Sequence, residues 1–202
     1  MKPKLDKALC EKYPKIFVNR HADMKTTAMC WGFECGDGWY HIIDALCEAL
    51  THSYTTHKTL ELDGRKMPED MKYGDPEYDS YLWNHSGCGN VIATQVKEKY
   101  GTLRFYYYTE WSDEDGIMAE KYPNTAIVVL NEQYHYMKGL ERMAEIMSSR
   151  ICEETGLPGE LHATGGTRMG WLKTVNKEHA KTALADHNYM AWSEIPKNEE
   201  TN

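Results

Sequence analysis

The run Gln95-Val-Lys-Glu-Lys-Tyr-Gly-Thr-Leu-Arg-Phe-Tyr-Tyr-Tyr108 constrains the fold more than any other stretch, because two strand-like segments of charged and aromatic residues meet at Gly101. Upstream, Val91, Ala93, Gln95, Lys97 and Lys99 fall on one side of a period-2 pattern, and Ile92, Thr94, Val96, Glu98 and Tyr100 fall on the other. Downstream, Leu103, Phe105 and Tyr107 alternate with Thr102, Arg104, Tyr106 and Tyr108. The break at Tyr100-Gly-Thr102 stands where a hairpin needs a residue with positive φ, a conformation that Gly reaches without a Cβ clash. The stretch predicts a β-hairpin.

Around that hairpin there is material for one ordinary domain with a small appended module: 202 residues, of which 41% are hydrophobic. The formal net charge of -8 speaks against generic binding of duplex nucleic acid, which depends on many Lys and Arg neutralising phosphates. The first residues lack the apolar run of a signal peptide, and no stretch approaches the roughly 20 apolar residues of a membrane span. Cys10, Cys30, Cys35, Cys47, Cys88 and Cys152 are scattered without the spacing of a disulfide framework, which predicts reduced thiols. Together these features predict a soluble, cytoplasmic protein with no membrane partner.

Residues 1–15 predict a short helix stopped by Pro14, followed by a loop through His21 and Met24. Cys30-Trp-Gly-Phe-Glu-Cys-Gly-Asp-Gly-Trp39 reads as a Gly- and Cys-rich entry into a helix on which Trp39, Ile42, Ile43, Leu46, Cys47 and Leu50 form one apolar stripe, with Asp37 as its N-cap. Residues 51–89 read mostly as a long polar loop. Trp111-Ser-Asp-Glu-Asp-Gly116 reads as an acidic turn. Residues 131–155 predict a long helix with Tyr134, Met137, Leu140, Met143, Ala144, Met147 and Ile151 on one face and Gly156 as its C-cap. Ala126-Ile-Val-Val-Leu130 fits either a short strand or the first turns of that helix. Residues 156–170 read as loop, Trp171-Leu-Lys-Thr-Val175 as strand and 176–189 as helix, and the end from Lys197 is expected to fray.

Cys35-Gly-Asp-Gly-Trp39, the 95–106 run, a helix ending in Cys152-Glu-Glu-Thr-Gly156, then Gly170-Trp-Leu-Lys-Thr174 and Glu178-His-Ala180 together resemble a family of small uncharacterised phage and prophage proteins, over roughly residues 30–182. The resemblance implies a C-terminal zinc knuckle of treble-clef type, in which two Cys-x-x-Cys/His pairs surround one tetrahedral metal. Here the four positions read Cys152, Thr155, Asn176 and His179, so two thiolates are missing. The expectation is a degenerate knuckle without metal, its gap filled by hydrogen bonds and packing. The fold class expected is α+β: a small antiparallel sheet around the central hairpin, packed by two main helices in a core domain of residues 1–150, with a knuckle-like extension over 151–202.

Cys30 and Cys35 lack a second close pair of ligands and read as free thiols beside Trp31 and Trp39. His41, His52, His57 and His85 have none of the i, i+4 spacing with Glu that marks a helical hydrolase site, and Asn84-His-Ser-Gly-Cys-Gly-Asn90 offers either an anion nest or a plain loop. The hairpin carries the best site. Gln95, Lys97 and Lys99 share one strand face, as do Arg104, Tyr106 and Tyr108 on the other strand, and a register that joins them sets cations beside phenols suited to a phosphate and a flat ring. The competing structural reading pairs Lys97, Glu98 and Arg104 across the strands and packs Phe105 and Tyr107 on the long helix. No nucleophile, base and orienting partner can be named together, so no catalytic residue, metal or cofactor is expected.

The function expected is that of a phage-encoded, non-enzymatic binding protein of the host cytoplasm, sequestering a small anionic, phosphorylated or nucleotide-like immune signal as counter-defence. The alternatives are a protein-interaction module that docks on a host protein through exposed Tyr and Trp, and a metal-dependent nuclease or phosphoesterase built on Asp113, Glu114, Asp115 and loop histidines. Homo-oligomerisation is compatible with each.

Overall fold

A computed structural model describes residues 1–59, 90–110, 123–182 and 188–195. The fold is α+β, with helices packed on two small sheets. In chain order the elements that frame it are α1 (Pro3–Lys12), β1 (Phe33–Glu34), α2 (Tyr40–Thr59), β2 (Asn90–Lys99), β3 (Thr102–Glu110), α3 (Pro123–Ser148), β4 (Glu160–Ala163), β5 (Leu172–Val175), α4 (Lys177–Thr182) and β6 (Met190–Ala191).

The hairpin forms as its sequence dictates. Tyr100 (φ 56) and Gly101 (φ 77) both take the left-handed conformation that a two-residue turn between Lys99 and Thr102 requires. Strand β2 departs from strict alternation: Thr94 is bulged out of the β2–β3 ladder between Ala93 and Gln95. The bulge shifts the phase, so that Val91 and Ala93 share the core face with Val96 and not with Gln95, Lys97 and Lys99, as uninterrupted alternation implies. Strand β1 adds to the free edge of β2 in parallel, pairing Phe33 with Val96 and Glu34 with Lys97, so the first sheet is mixed.

The core lies between this sheet, α2 and α3. Trp39, Ile42, Ile43, Leu46, Cys47 and Leu50 are all buried, as their helical spacing requires. They meet Val96, Leu103 and Phe105 from the sheet and Met137 and Ala144 from α3. Helix α2 runs on to Thr59, nine residues into the stretch expected to be loop, and residues 60–89 lie outside the described residues. The Asn84–Asn90 nest, His85 and the acidic turn with Asp113, Glu114 and Asp115 lie outside them too, apart from the backbone of Asn90 at the start of β2.

Two helix boundaries differ from the sequence reading for tertiary reasons. Helix α3 starts at Pro123, which resolves 126–130 as helix, and stops at Ser148, well short of Thr155. Ser148 and Ser149 turn their hydroxyls back on the carbonyls of Glu145 and Ile146, each at 2.7 Å, and the Ser148 hydroxyl also accepts the Leu103 amide at 2.8 Å. The chain then makes an antiparallel bridge between Ile151 and Pro158, and Gly156 takes φ 74 inside that turn, with no helix to cap. At the other boundary Asp37 lies within a 3-10 turn, Asp37–Trp39, that leads into α2. Its carboxylate accepts the Lys2 amide at 2.7 Å and pairs with the Lys2 ammonium at 2.8 Å, tying α1 to the loop instead of capping α2.

The second sheet is ordered β5-β4-β6: β5 falls where Trp171-Leu-Lys-Thr-Val175 reads as a strand, β4 within the 156–170 stretch that reads as loop, and β6 just past the helix expected over 176–189. Strands β4 and β6 are too short to show a period, and within the expected helix α4 is described over Lys177–Thr182. Three of the four knuckle positions, Cys152, Thr155 and Asn176, are engaged by protein. Cys152 is fully buried against Val175 and Ala180, the Thr155 hydroxyl accepts the Leu157 amide at 3.3 Å, and Asn176 bridges the Pro158 carbonyl (2.9 Å) and the Glu178 amide (3.0 Å). Among the described residues no group of three or more His, Cys, Asp or Glu side chains is placed to hold a metal ion.

The Cys35–Trp39 segment docks on the 151–156 turn, which explains its glycines. A Cβ on Gly36 would run into the Glu153 carbonyl, and one on Gly38 into the Cys152 carbonyl and the Gly156 amide. Gly38 donates to the Glu153 carbonyl at 2.7 Å, and the buried Trp39 indole donates to the Ile151 carbonyl at 2.8 Å. No helix among the described residues is long and apolar enough to cross a membrane.

Candidate ligand-binding face of the hairpin

The β2–β3 register brings the six predicted site residues onto one face. Gln95 lies opposite Tyr106, Lys97 opposite Arg104, Lys99 opposite Thr102, and Tyr108 opposite Ile92 beyond the bulge. The bulge at Thr94 leaves the three β2 residues in phase with one another and with Ile92. Tyr106 is 41% and Tyr108 43% exposed, so their rings are open to solvent along much of one side.

The six are not equally available. Arg104 reaches over the edge of the sheet to an ion pair with Glu145 of α3, and Glu145 is also held by Arg142 at 2.7 Å. Gln95 donates its amide to Glu34 of β1 at 2.8 Å. Tyr108 donates to Glu110 at 3.3 Å. Lys97 and Lys99 have no carboxylate partner among the described residues. Their ammonium groups instead lie 5.7 Å from the centre of the Tyr106 ring and 5.3 Å from that of Tyr100. The expected cross-strand ion pairs with Glu98 do not form, because Glu98 turns in to accept the Gly101 amide at 2.6 Å and stays with the turn. Phe105 packs into the core as expected, and the Lys138 ammonium of α3 sits 5.5 Å over the Tyr107 ring.

Lys97 faces Arg104 across the ladder, a like-charge pairing that a sheet tolerates only when other charges or a ligand offset it. Glu145 does so for Arg104 from the side, while Lys97 leans on a ring face. Among the described residues the face thus carries two ammonium groups without a carboxylate, a third cation shared with α3, and the Tyr106 ring beside Lys97. Glu145, which holds Arg104, and Glu34, which holds the Gln95 amide, are the residues that sequence reasoning missed. They come from β1 and α3, far from the hairpin in sequence, and no local period marks them.

Comparison with known proteins gives no matching family model, no matching curated protein and no matching solved structure.

Proposed function

We propose that this hairpin face binds a small phosphorylated or nucleotide-like ligand without transforming it. Lys97 and Lys99 take the anionic end as point charges, Tyr106 and Tyr108 take the ring, and Gln95 and Arg104 adjust to it. The observation that carries the reading is the pair of ammonium groups without a carboxylate partner among the described residues, in a chain of net charge -8. The resemblance to phage and prophage proteins suits this to the cytoplasm of an infected host, where sequestering an immune signal would be counter-defence. Calorimetric titration with a panel of cyclic and linear nucleotides tests it. Saturable binding that weakens as salt rises, and that Lys97→Ala with Lys99→Ala removes, is the expected result. No heat and no shift in melting temperature across the panel would refute it.

A second reading rests on α3. Tyr136, Met143 and Met147 fall on one helix face, with Ile146 beside them, and they are between 36% and 56% exposed. A docked host protein would cover such an apolar strip, in which methionine adapts readily to a partner's shape. If this is the working surface, Met143→Glu abolishes a host interaction seen by crosslinking in cells, while Lys97→Ala leaves it intact.

A further inference from the structure

A cavity of about 850 Å³ opens between α1 and the 17–33 segment, away from the hairpin face. Its volume falls within the roughly 300–1,000 Å³ usual for small-molecule sites. The buried rings of Phe17 and Phe33, in edge contact at 4.9 Å, contribute to its wall, and Val18 and Trp31 line it while remaining 60% and 62% exposed.

Trp31 does not hang loosely at this rim. The residue before it, Cys30, offers its carbonyl to the Arg20 guanidinium at 2.9 Å. The residue after it, Gly32, turns at φ 79, and a Cβ there would come within 2.6 Å of the Asp6 carboxylate and 2.8 Å of Arg20. The ion pair of Asp6 and Arg20 is therefore seated directly on the Trp31-Gly32 backbone, and the indole is presented from a fixed turn.

The side-chain charges of the wall are paired with one another, and the terminal ammonium is turned onto backbone carbonyls. Arg20 holds both Asp6 oxygens, from Nε at 3.0 and 3.1 Å and from Nη2 at 2.8 Å, and Lys7 pairs with Glu11 at 3.6 Å. The amino group of Met1 donates to the Phe33 and Cys35 carbonyls. Cys10 donates its thiol to Asp6 at 3.6 Å, and burial together with that carboxylate pushes the thiol up to about 12, so it stays neutral. His21 and the Trp31 indole N–H are lining groups able to exchange a hydrogen bond with an occupant.

We infer that this cavity is a second binding site, for an uncharged, flat, ring-bearing small molecule that packs on Trp31 and Val18 above Phe17 and Phe33. An anion would have to draw Arg20 off Asp6, Lys7 off Glu11 or the Met1 ammonium off its carbonyls, and a cation would have to draw a carboxylate off the arginine or lysine that holds it, so a charged ligand gains little. An apolar ring gains the area of an indole that water otherwise covers. This assignment is independent of the hairpin proposal.

The probe is N-phenyl-1-naphthylamine, a neutral fluorophore that brightens in apolar sites, titrated into the full-length protein. One saturable site is expected, with an affinity that a tenfold rise in salt leaves within about twofold, since no ion pair is formed. Trp31→Ala should weaken it by about tenfold or more, in line with loss of an aromatic anchor, and Val18→Ala by less. Both positions are exposed, and an unchanged circular dichroism spectrum certifies each variant. The double variant Lys97→Ala, Lys99→Ala should bind the probe as the parent does. Absence of saturation, equal affinity in parent and Trp31→Ala, or loss of binding in the hairpin variant would each overturn the assignment.

Discussion

The Thr174 hydroxyl donates to the Gly101 carbonyl at 2.6 Å in a buried contact that ties the tip of the hairpin to the second sheet. Leu161 and Thr174 close over Gly101 so tightly that a Cβ there would strike the Leu161 side chain. Thr174→Val keeps the shape and leaves the carbonyl unpaired, so it should cost about 1–3 kcal/mol in urea unfolding. Gly101→Ala should cost a similar amount, chiefly through a left-handed φ that Ala resists, since the Leu161 methyl can turn aside.

The fit of Gly38 against the 152–156 turn is made by backbone on both sides, and backbone cannot yield as the end of a side chain can. Gly38→Ala should therefore destabilise as strongly as a core defect, by about 3 kcal/mol or more, and lower the melting temperature by about 6–12 °C or more on the usual scaling for a chain of this length. Trp39→Phe removes only the indole donor to Ile151 and some volume, and should fall between that variant and the parent.

The hairpin is legible in the sequence because its determinants are local: a two-residue turn ending in Gly101, and alternation on either side. The α2 stripe is legible for the same reason. What escapes is set by distant partners. The Thr94 bulge depends on how β2 meets its neighbours, and the end of α3 depends on Ser148 bonding to Leu103. Cys35-Gly-Asp-Gly-Trp39 is conspicuous in sequence, yet its glycines serve a contact with residues more than a hundred positions away. At the candidate site the six residues on the face are readable from period and turn, whereas which of them are already held is not, because Glu145 holds Arg104 and Glu34 holds the Gln95 amide from distant elements.

Glu145 should thus restrain the hairpin face. Glu145→Gln releases Arg104 from its carboxylate and adds a third free cation beside Lys97 and Lys99. The expected outcome is tighter binding of pyrophosphate and nucleotides by about tenfold, the scale of one added charge-assisted contact, with a steeper salt dependence. The ion pair is partly exposed, so the cost in stability should stay near 1 kcal/mol or below. Calorimetry at two salt concentrations checks both. Weaker binding in this variant would mean that Arg104 is useful only when held by Glu145.

Glu153 sets a pH dependence of a definite sign. It is 3% exposed, accepts the Gly36 amide at 2.9 Å through one oxygen and faces the Lys173 ammonium at 3.4 Å through the other. Burial pushes its carboxyl above the ordinary 4.5, and neighbouring Glu154 and Glu98 push the same way, while Lys173 and the Gly36 amide oppose them. Lys173 is itself raised: burial alone would lower it, but Glu154 at 2.6 Å and Glu153 more than offset that. Between the unfolded and the folded value of Glu153 the native state binds the extra proton, so this group's contribution to stability falls as pH rises through that window and is level above it. Asp37 and Asp44 run the other way, because pairing with Lys2 and Lys12 holds them below the usual carboxylate range and their contribution is lost only in stronger acid. Urea unfolding of the parent and of Glu153→Gln from pH 4 upward should show the parent losing ground to the variant just above about pH 4.5, the ordinary value, and the gap should then become constant. A gap that is flat throughout would show that Glu153 ionises in the folded protein as freely as in the unfolded chain, and one that widens in acid would show that it ionises more readily there.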